Sequence, residues 1–555
     1  MEYQAEFVDN NREKYTKKVH NFNKTFTFKT KIILFIFYIL ILSLIIYFKT
    51  PILNPIYQEG FIFWLINLLV VILIFFSNKL QQPKFKKIIT TIILLPVLIY
   101  LIILLLSAPI FRSQAYYDLI GDVQTLDYAS NEANISDEII PVVDYELAQK
   151  LGDKVLGEDL GLGSQFSIGE YYLVSTANDL AWIAPLEPQN FFKWLQNKNT
   201  IPGYIYVSAT NPNDVKLVQD VNGEPLKIQY SEKSFFNNNI KRYAYLQNNF
   251  FKGLTDYSFE IDDAGKPYWV VSTYQPTIGF SGLDATGVTV IDAQNGASNY
   301  YTVDDKDLPR WVDRVYPKEM IKQQLTYYGA YKNGWLNSIF TLKEMIRPTS
   351  GIYYVFVNNN HYFYTGMTSI KIDDATVGFI VRDIKSKNTI FYTLNGATED
   401  AAKSSAQGKV QQYNYSASEP ILLDLYNKPT YFMTLKDNDG LVKQYAFVSV
   451  ENYNIVGIGD DVPSAKKDYY NQLKNNNVLK TQDVSTKKVS GVIQRINYFE
   501  NFFYLKLQDD TNIYQIDKDL TTDLILSQVG DKIELAYIAD DSEFKQVTKF
   551  SNDSF

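Results

Sequence analysis

Apolar residues are unevenly spread along this chain. Three long uncharged runs fall within the first 111 residues: Ile32–Phe48, Phe61–Phe76 and Ile88–Phe111. A hydrocarbon core of roughly 30 Å needs ~20 apolar residues of helix. The first and third runs meet that length, and the second reaches it by including Gly60 and Ser77. Pro96 stands inside the third, where packed membrane helices tolerate it. The first run is longer than a signal-peptide core, and no small-x-small cleavage pattern follows it, so it is expected to stay as an anchor.

Beyond residue 111 the pattern changes to short alternating runs rich in Tyr, Phe, Val and Thr. Tyr204–Ala209, Tyr353–Val357, Val377–Arg382 and Thr389–Leu394 read as strands, the last two joined by a hairpin over residues 383–388. Val221-Asn222-Gly223 predicts a second hairpin, because Asn-Gly supplies the two positive-φ positions of a type I′ turn. Helices are predicted at Asn190–Asn197, over Leu308–Tyr331 in two stretches broken at Pro317, and at Ser464–Leu473. The expected fold class is therefore α+β: three transmembrane helices, then antiparallel sheets with short helices, then a small β-barrel. The expected divisions are a basic tail (1–31), the three-helix anchor (32–111), a first α+β region (112–340), a second (341–475) and the barrel (485–555).

A unit occurs twice. Gly265-Lys-Pro-Tyr-Trp-Val-Val271 is followed by a loop, by Val288–Gly296 (VTVIDAQNG) and by a helix near Leu308. Asn427-Lys-Pro-Thr-Tyr-Phe-Met-Thr434 is followed by Asp437-Asn-Asp-Gly440, Gln444–Val450 and a helix at Ser464. In both, proline opens a strand, where its missing N–H costs least. This unit resembles the PepSY module, a small α+β domain common outside bacterial cytoplasmic membranes. Thr398–Lys409 lies where that family carries the leading helix of the second copy. There Glu451-Asn-Tyr-Asn454 replaces the family's Asp-to-Gly turn. The resemblance implies protein binding or inhibition of a neighbouring activity, and it brings no catalytic residue. After a polar linker, Val489–Ile496, Phe502–Leu507, Asn512–Ile516, a helix at Leu520–Leu526, Gly530-Asp531 and Ile533–Ile538 follow in an order that resembles an OB-fold barrel.

Charge adds an orientation. Arg12, Lys14, Lys17, Lys18, Lys24, Lys29 and Lys31 precede the first run, Lys49 alone lies between the first two, and Lys79, Lys84, Lys86 and Lys87 lie between the second and third. Cationic loops stay cytoplasmic, so the N-terminus is expected inside and everything after the third span outside. The net charge of -8 is +7 over residues 1–111 beside -15 over the rest. An acidic outer region without a basic stripe argues against nucleic acid as a partner. The expected partners are the lipid bilayer and other envelope proteins. The abundance of Asn, Ile, Lys, Tyr and Phe suggests an AT-rich genome.

Candidate chemistry is sparse. With no cysteine and two histidines, His20 and His361, thiolate and multi-histidine sites are excluded, and no metal or cofactor is expected. His361 sits in turn composition, Asn358-Asn-Asn-His-Tyr. Paired carboxylates could serve glycoside hydrolysis. Asp262-Asp263, Asp304-Asp305, Asp373-Asp374 and Asp460-Asp461 are the candidates, each with the composition of a solvated turn. Asp437-x-Asp439-Gly440 begins like a calcium loop but lacks its later ligands. Trp182, Phe191, Phe192 and Trp194 form a dense aromatic segment, read either as a binding patch or as the core face of a helix. These observations lead to an expectation of a non-enzymatic membrane protein that binds or scaffolds envelope proteins, with no catalytic residue assigned. A glycan-acting hydrolase and a transmembrane sensor working through a cytoplasmic partner are the alternatives.

Overall fold

The computed structural model describes residues 27–554 except 77–78, 80–81, 129–139, 177–179, 198–199, 350–352, 358–359, 371, 480–485, 500–501, 519 and 539–543. The basic tail, with His20, therefore lies outside the described residues. Two compact units emerge. The first takes in the described part of Met1–Asp122 with Ala148–Ile346 and Asp383–Asn388, and the second Val123–Leu147, Arg347–Arg382 and the described part of Thr389–Phe555.

The first unit opens with three helices long and apolar enough to cross a membrane: α1 (Phe28–Lys49), α2 (Gln58–Phe76) and α3 (Pro83–Leu106). Thr27 caps α1 by accepting from the Thr30 N–H. The Lys31 ammonium reaches the Phe75 carbonyl at 2.7 Å, and the Gln58 amide meets the Tyr100 hydroxyl at 2.9 Å. The start of α1 thus lies beside the end of α2, and α2 starts beside the second half of α3, an up-down-up bundle. Helix α3 runs through Pro96 without ending. It stops at Leu106 rather than at the expected Phe111. Pro109 instead opens a separate helix, α4 (Pro109–Tyr117), at the position where a missing N–H is harmless.

From α4 the chain passes through β1 (Val123–Asp127), a strand of the second unit, and α5 (Tyr145–Glu158). It then builds a sheet in the order β2 (Phe166–Ile168), β4 (Leu180–Pro188), β5 (Tyr204–Ser208), β6 (Val215–Val218), with β3 (Tyr172–Ser175) also on β4. Helix α6 (Phe191–Gln196) follows β4. The Asn-Gly hairpin joins β7 (Asp220–Val221) to β8 (Glu224–Pro225), with Asn222 at φ 55° and Gly223 at φ 82°. Helix α7 (Ile240–Leu246) leads to the four-stranded antiparallel sheet β12 (Ser298–Thr302), β11 (Ser281–Asp292), β10 (Pro267–Ile278), β9 (Gly253–Ile261). The stretch expected as a loop after Val271 instead extends both strands into a long hairpin that turns at Gly279-Phe280. Only the second of the two helical stretches expected over 308–331 forms, as α8 (Lys318–Tyr331). Val312 and Val315 are fully buried from irregular backbone, so their apolar spacing reports burial and not a helix.

That hairpin tip meets the anchor. The Phe280 ring lies 5.5 Å from both Phe61 of α2 and Tyr100 of α3, and those two rings are 5.7 Å apart. Gly279 has φ +58°, and a Cβ there would stand 1.9 Å from the Ser107 hydroxyl. Tyr116 of α4, buried, donates to the Ser107 carbonyl at 2.9 Å and packs 4.8 Å from Tyr327 of α8.

In the second unit β1 pairs in parallel with β17 (Thr389–Ala397), in the order β1, β17, β16 (Ile372–Asp383), β15 (Asn360–Ser369), β13 (Ile346–Pro348), with β14 (Tyr353–Val357) also on β15. A second sheet runs β18 (Ser416–Ala417), β20 (Pro429–Lys436), β21 (Val442–Ser449), β22 (Val456–Gly459), with β19 (Ile421–Asp424) on β20. Helix α9 (Glu399–Lys409), capped by Thr398, contributes Ala402 and Ala406 to a core shared with Tyr364, Phe379, Tyr431 and Met433 of the two sheets. Helix α10 (Val462–Asn475) starts in a capping box between Asp461 and Ser464. The C-terminal strands β23 (Thr486–Phe499), β24 (Phe502–Leu507), β25 (Ile513–Asp517), β27 (Phe544–Asn552) and β26 (Lys532–Ile538) close into a barrel in that order, with β25 and β27 parallel. Helix α11 (Asp523–Leu526) puts Leu524 into the barrel core beside Tyr514 and Leu535.

Candidate functional site

The aromatic segment is positioned by a short capped helix. Asn190 accepts the Lys193 N–H at 3.0 Å, starting α6 directly after β4. Phe191 and Trp194, three residues apart, fall on one helical face. They pack on Phe235 at 5.2 and 5.5 Å and on Phe236 at 6.2 and 5.9 Å. Trp194 is buried, but Phe192 is 76% exposed, Leu195 55% and Phe236 49%. The segment is thus both core and surface: one face seals the domain, and the other shows bulky apolar groups to its surroundings. Trp182 is not part of this ring group. It sits on β4, opposite Leu173 and Val207, six residues and ~20 Å of strand before the end that leads to α6. Phe235 and Phe236 were not singled out from the sequence. Their signal was two phenylalanines in a polar turn, Ser234-Phe-Phe-Asn-Asn-Asn239.

This patch adjoins the end of α1. The Tyr47 hydroxyl donates to the Asn237 side chain at 2.7 Å. Arg242 donates through Nε to the Tyr47 carbonyl at 2.9 Å and through its terminal nitrogen to the Phe236 carbonyl. Its guanidinium lies over the rings of Tyr47 and Phe48, 4.8 and 5.2 Å from their centroids. One arginine therefore ties the aromatic turn to the last turn of the first span.

The carboxylate candidates are used locally. Asp262 accepts the Ala264 and Lys266 N–H groups at 3.0 and 2.9 Å, shaping the β9–β10 turn. Asp305 accepts the Asp307 N–H at 3.0 Å. Asp461 caps α10, and the Ser464 hydroxyl and N–H hold its carboxyl below the usual range. Asp437 accepts the Asp439 and Leu441 N–H groups at 3.0 and 2.9 Å, as a hairpin turn requires. Asp373-Asp374 lies within β16, and His361 lies in β15 opposite Phe356, so strand backbone replaces the turns expected at both places. Among the described residues no group of three or more His, Cys, Asp or Glu is placed to hold a metal ion.

Among the described residues three glutamates are buried. Glu187 on β4 accepts from the Ser231 hydroxyl at 2.5 Å and from the Glu232 and Lys233 N–H groups at 3.0 Å each. Burial outweighs these bonds and pushes its carboxyl up to about 7. Glu260 on β9 is fully buried. It accepts from the Ser258 hydroxyl and from the Asp313 N–H (2.8 Å), while Asp313 accepts from the Ser175 N–H at 2.6 Å. Burial and the neighbouring Asp313 charge both raise the Glu260 carboxyl. Glu399, in the first turn of α9, accepts the Gly366 N–H at 2.9 Å and is raised by burial. All three are 2% exposed or less and fasten loops and strands from within the core.

No protein-family model and no curated protein sequence matches the chain. Among solved structures, a Trypanosoma rangeli sialidase in complex with 2,3-difluorosialic acid aligns over 70% of this chain and 53% of its own, at 11% identity and a TM-score of 0.15. The polysaccharide lyase Uly1 aligns over 69% of this chain and 76% of its own, at 9% identity and a TM-score of 0.15. The chain spans about half the length of that sialidase. At these scores neither fold nor residue role carries over. The architecture itself defines a class: a membrane protein with three spanning-length helices followed by α+β sheets and a closed five-stranded barrel.

Proposed function

We propose that this chain is a non-enzymatic, multi-pass bacterial membrane protein whose region beyond the third span lies outside the cytoplasm and binds or scaffolds other envelope proteins. The observation that carries the reading is the joint between anchor and sheet. Phe280 is seated among α2 and α3, and Arg242 and Tyr57 bind the two parts through backbone carbonyls. A domain held by so many contacts is presented at a fixed height above the bilayer, as a scaffold requires. The cationic loops on either side of the first two spans support a cytoplasmic N-terminus. The resemblance to PepSY modules supports a role in protein binding, and the strand order of the barrel supports the OB-like reading. The barrel's acidic balance, eight basic against 12 acidic residues from Ser485 onward, favours a protein-facing surface over nucleic acid.

Two measurements on living cells test this. Protease added to intact protoplasts should remove everything beyond residue 111 and spare the tail. Photo-crosslinking from the outer region should then capture a reproducible set of envelope proteins. Survival of the outer region under protease overturns the orientation. Crosslinks to no envelope protein overturn the scaffold role.

A further inference from the structure

We propose that the turn carrying Phe236 and the exposed face of α6, with Phe192 and Leu195, form a second membrane contact: an apolar foot that enters the headgroup layer of the bilayer crossed by α1–α3. The argument starts from height. Helix α1 has 22 residues, which at ~1.5 Å per residue is about 33 Å, close to the roughly 30 Å of a hydrocarbon core. Its last turn, with Tyr47, Phe48 and Lys49, therefore stands at the boundary between acyl chains and headgroups. Asn237 is hydrogen-bonded to the Tyr47 hydroxyl, and Arg242 grips the Tyr47 and Phe236 carbonyls together. Phe236 is thus held at the level of that boundary by polar contacts on both sides of it.

The surface at that level is the wrong one for water. Phe192, Leu195 and Phe236 are 76%, 55% and 49% exposed, and Phe48 in the last turn of α1 is 53% exposed. The Phe191 ring links Phe192 and Phe236 at 5.7 and 6.2 Å, and exposed apolar groups clustered in this way mark a membrane or protein contact. The membrane is the occupant favoured here, because the span that sets the height is covalently part of the same unit. Aromatic rings are the groups that settle at such an interface, and cations beside them meet lipid phosphates. Lys49 is exposed at the end of α1, and Lys193 follows Phe192. Trp194 and Phe235 behind the foot hold it rigid, so little ordering cost remains when it enters lipid.

The absence of cysteine makes the test direct, since single cysteines can be introduced without removing any. Phe192→Cys and Phe236→Cys replace exposed side chains. Asp263→Cys lies in the β9–β10 turn, at the opposite end of a 12-residue strand from the Phe280 tip, about 40 Å along the strand. Each full-length variant is labelled with bimane and reconstituted in phosphatidylcholine–phosphatidylglycerol vesicles, with and without lipid carrying a doxyl group near the headgroup. The labels at 192 and 236 should lose most of their emission to the doxyl lipid and resist iodide. The label at 263 should do the reverse. Iodide quenching at 192 and 236 equal to that at 263 overturns the proposal. Protection of 192 and 236 from both quenchers also overturns it, because a protein surface then covers the foot.

Discussion

The Tyr57 hydroxyl donates to the Tyr274 carbonyl at 2.5 Å and accepts the Gly253 N–H at 3.0 Å, although 217 residues separate the two tyrosines. Tyr274 and Gly253 are register partners at the end of the β9–β10 ladder. A side chain at the mouth of α2 thus completes the hydrogen bonding of a sheet edge. In Tyr57→Phe the buried Gly253 N–H loses its partner. Leaving a buried donor unmade costs about 1–3 kcal/mol. The thermal midpoint of the purified protein should fall, and amide exchange at Gly253 should quicken relative to the middle of β9.

Phe280 should be the largest single side-chain contribution to the joint. Phe280→Ala removes one ring from the three-ring cluster it forms with Phe61 and Tyr100. Such truncations cost ~3–5 kcal/mol in well-packed cores. Gly279→Ala acts differently, since its Cβ meets the Ser107 hydroxyl at 1.9 Å and its φ of +58° is strained for alanine. Both variants should expose the hairpin tip to limited proteolysis. An unchanged cleavage pattern in both refutes the seat.

Glu187 predicts a pH dependence with a definite sign. Its carboxyl is raised from 4.5 to about 7 in the folded chain, so between those values the folded state holds a proton that the unfolded state has released. Stability from this group is fully present below about pH 4.5 and is lost as pH rises to about 7, by ~3 kcal/mol. Glu187→Gln has no proton to release. The thermal midpoint of the parent should fall across this window more steeply than that of Glu187→Gln.

Asp461 works in the other direction. Its carboxyl is lowered by the Ser464 hydroxyl and N–H, so its contribution is present above the usual carboxylate range and disappears as pH falls through the lowered value. Asp461→Ala should cost about 1 kcal/mol through the lost cap of α10, while Asp461→Asn retains most of it. Chemical denaturation followed by tyrosine fluorescence separates the two variants.

Local features were readable from the sequence. The Asn222-Gly223 turn, strand 502–507 and the helix expected at Ser464–Leu473 rest on neighbours in sequence, and the structure keeps them, the helix running longer over Val462–Asn475. The end of the third span was not readable, because Ser107 and Ala108 carry no charge and the break depends on Pro109 starting a new helix. The parallel pairing of Val123 with Thr389 joins residues far apart, and no local pattern records it. The site shows the same division. Phe191 and Trp194 were legible as one helical face, whereas Phe235 and Phe236 join them only through tertiary folding. Glu187 carried a weak signal, a lone acid in an otherwise apolar strand, whereas Glu260 shares its strand with Thr255, Asp256 and Ser258 and does not stand out.

The seat of Phe280 has a consequence for biogenesis. Helices α2 and α3 leave the ribosome long before residue 280 does. At about 5–20 residues per second, the 174 residues from Ser107 to Phe280 take roughly 10–35 s to make. Throughout that interval the stacked pair Phe61 and Tyr100 lacks its third ring. The bundle reaches its final packing only when the folded β10–β11 hairpin arrives. Newly inserted chains whose hairpin fails to fold therefore remain distinguishable within the membrane.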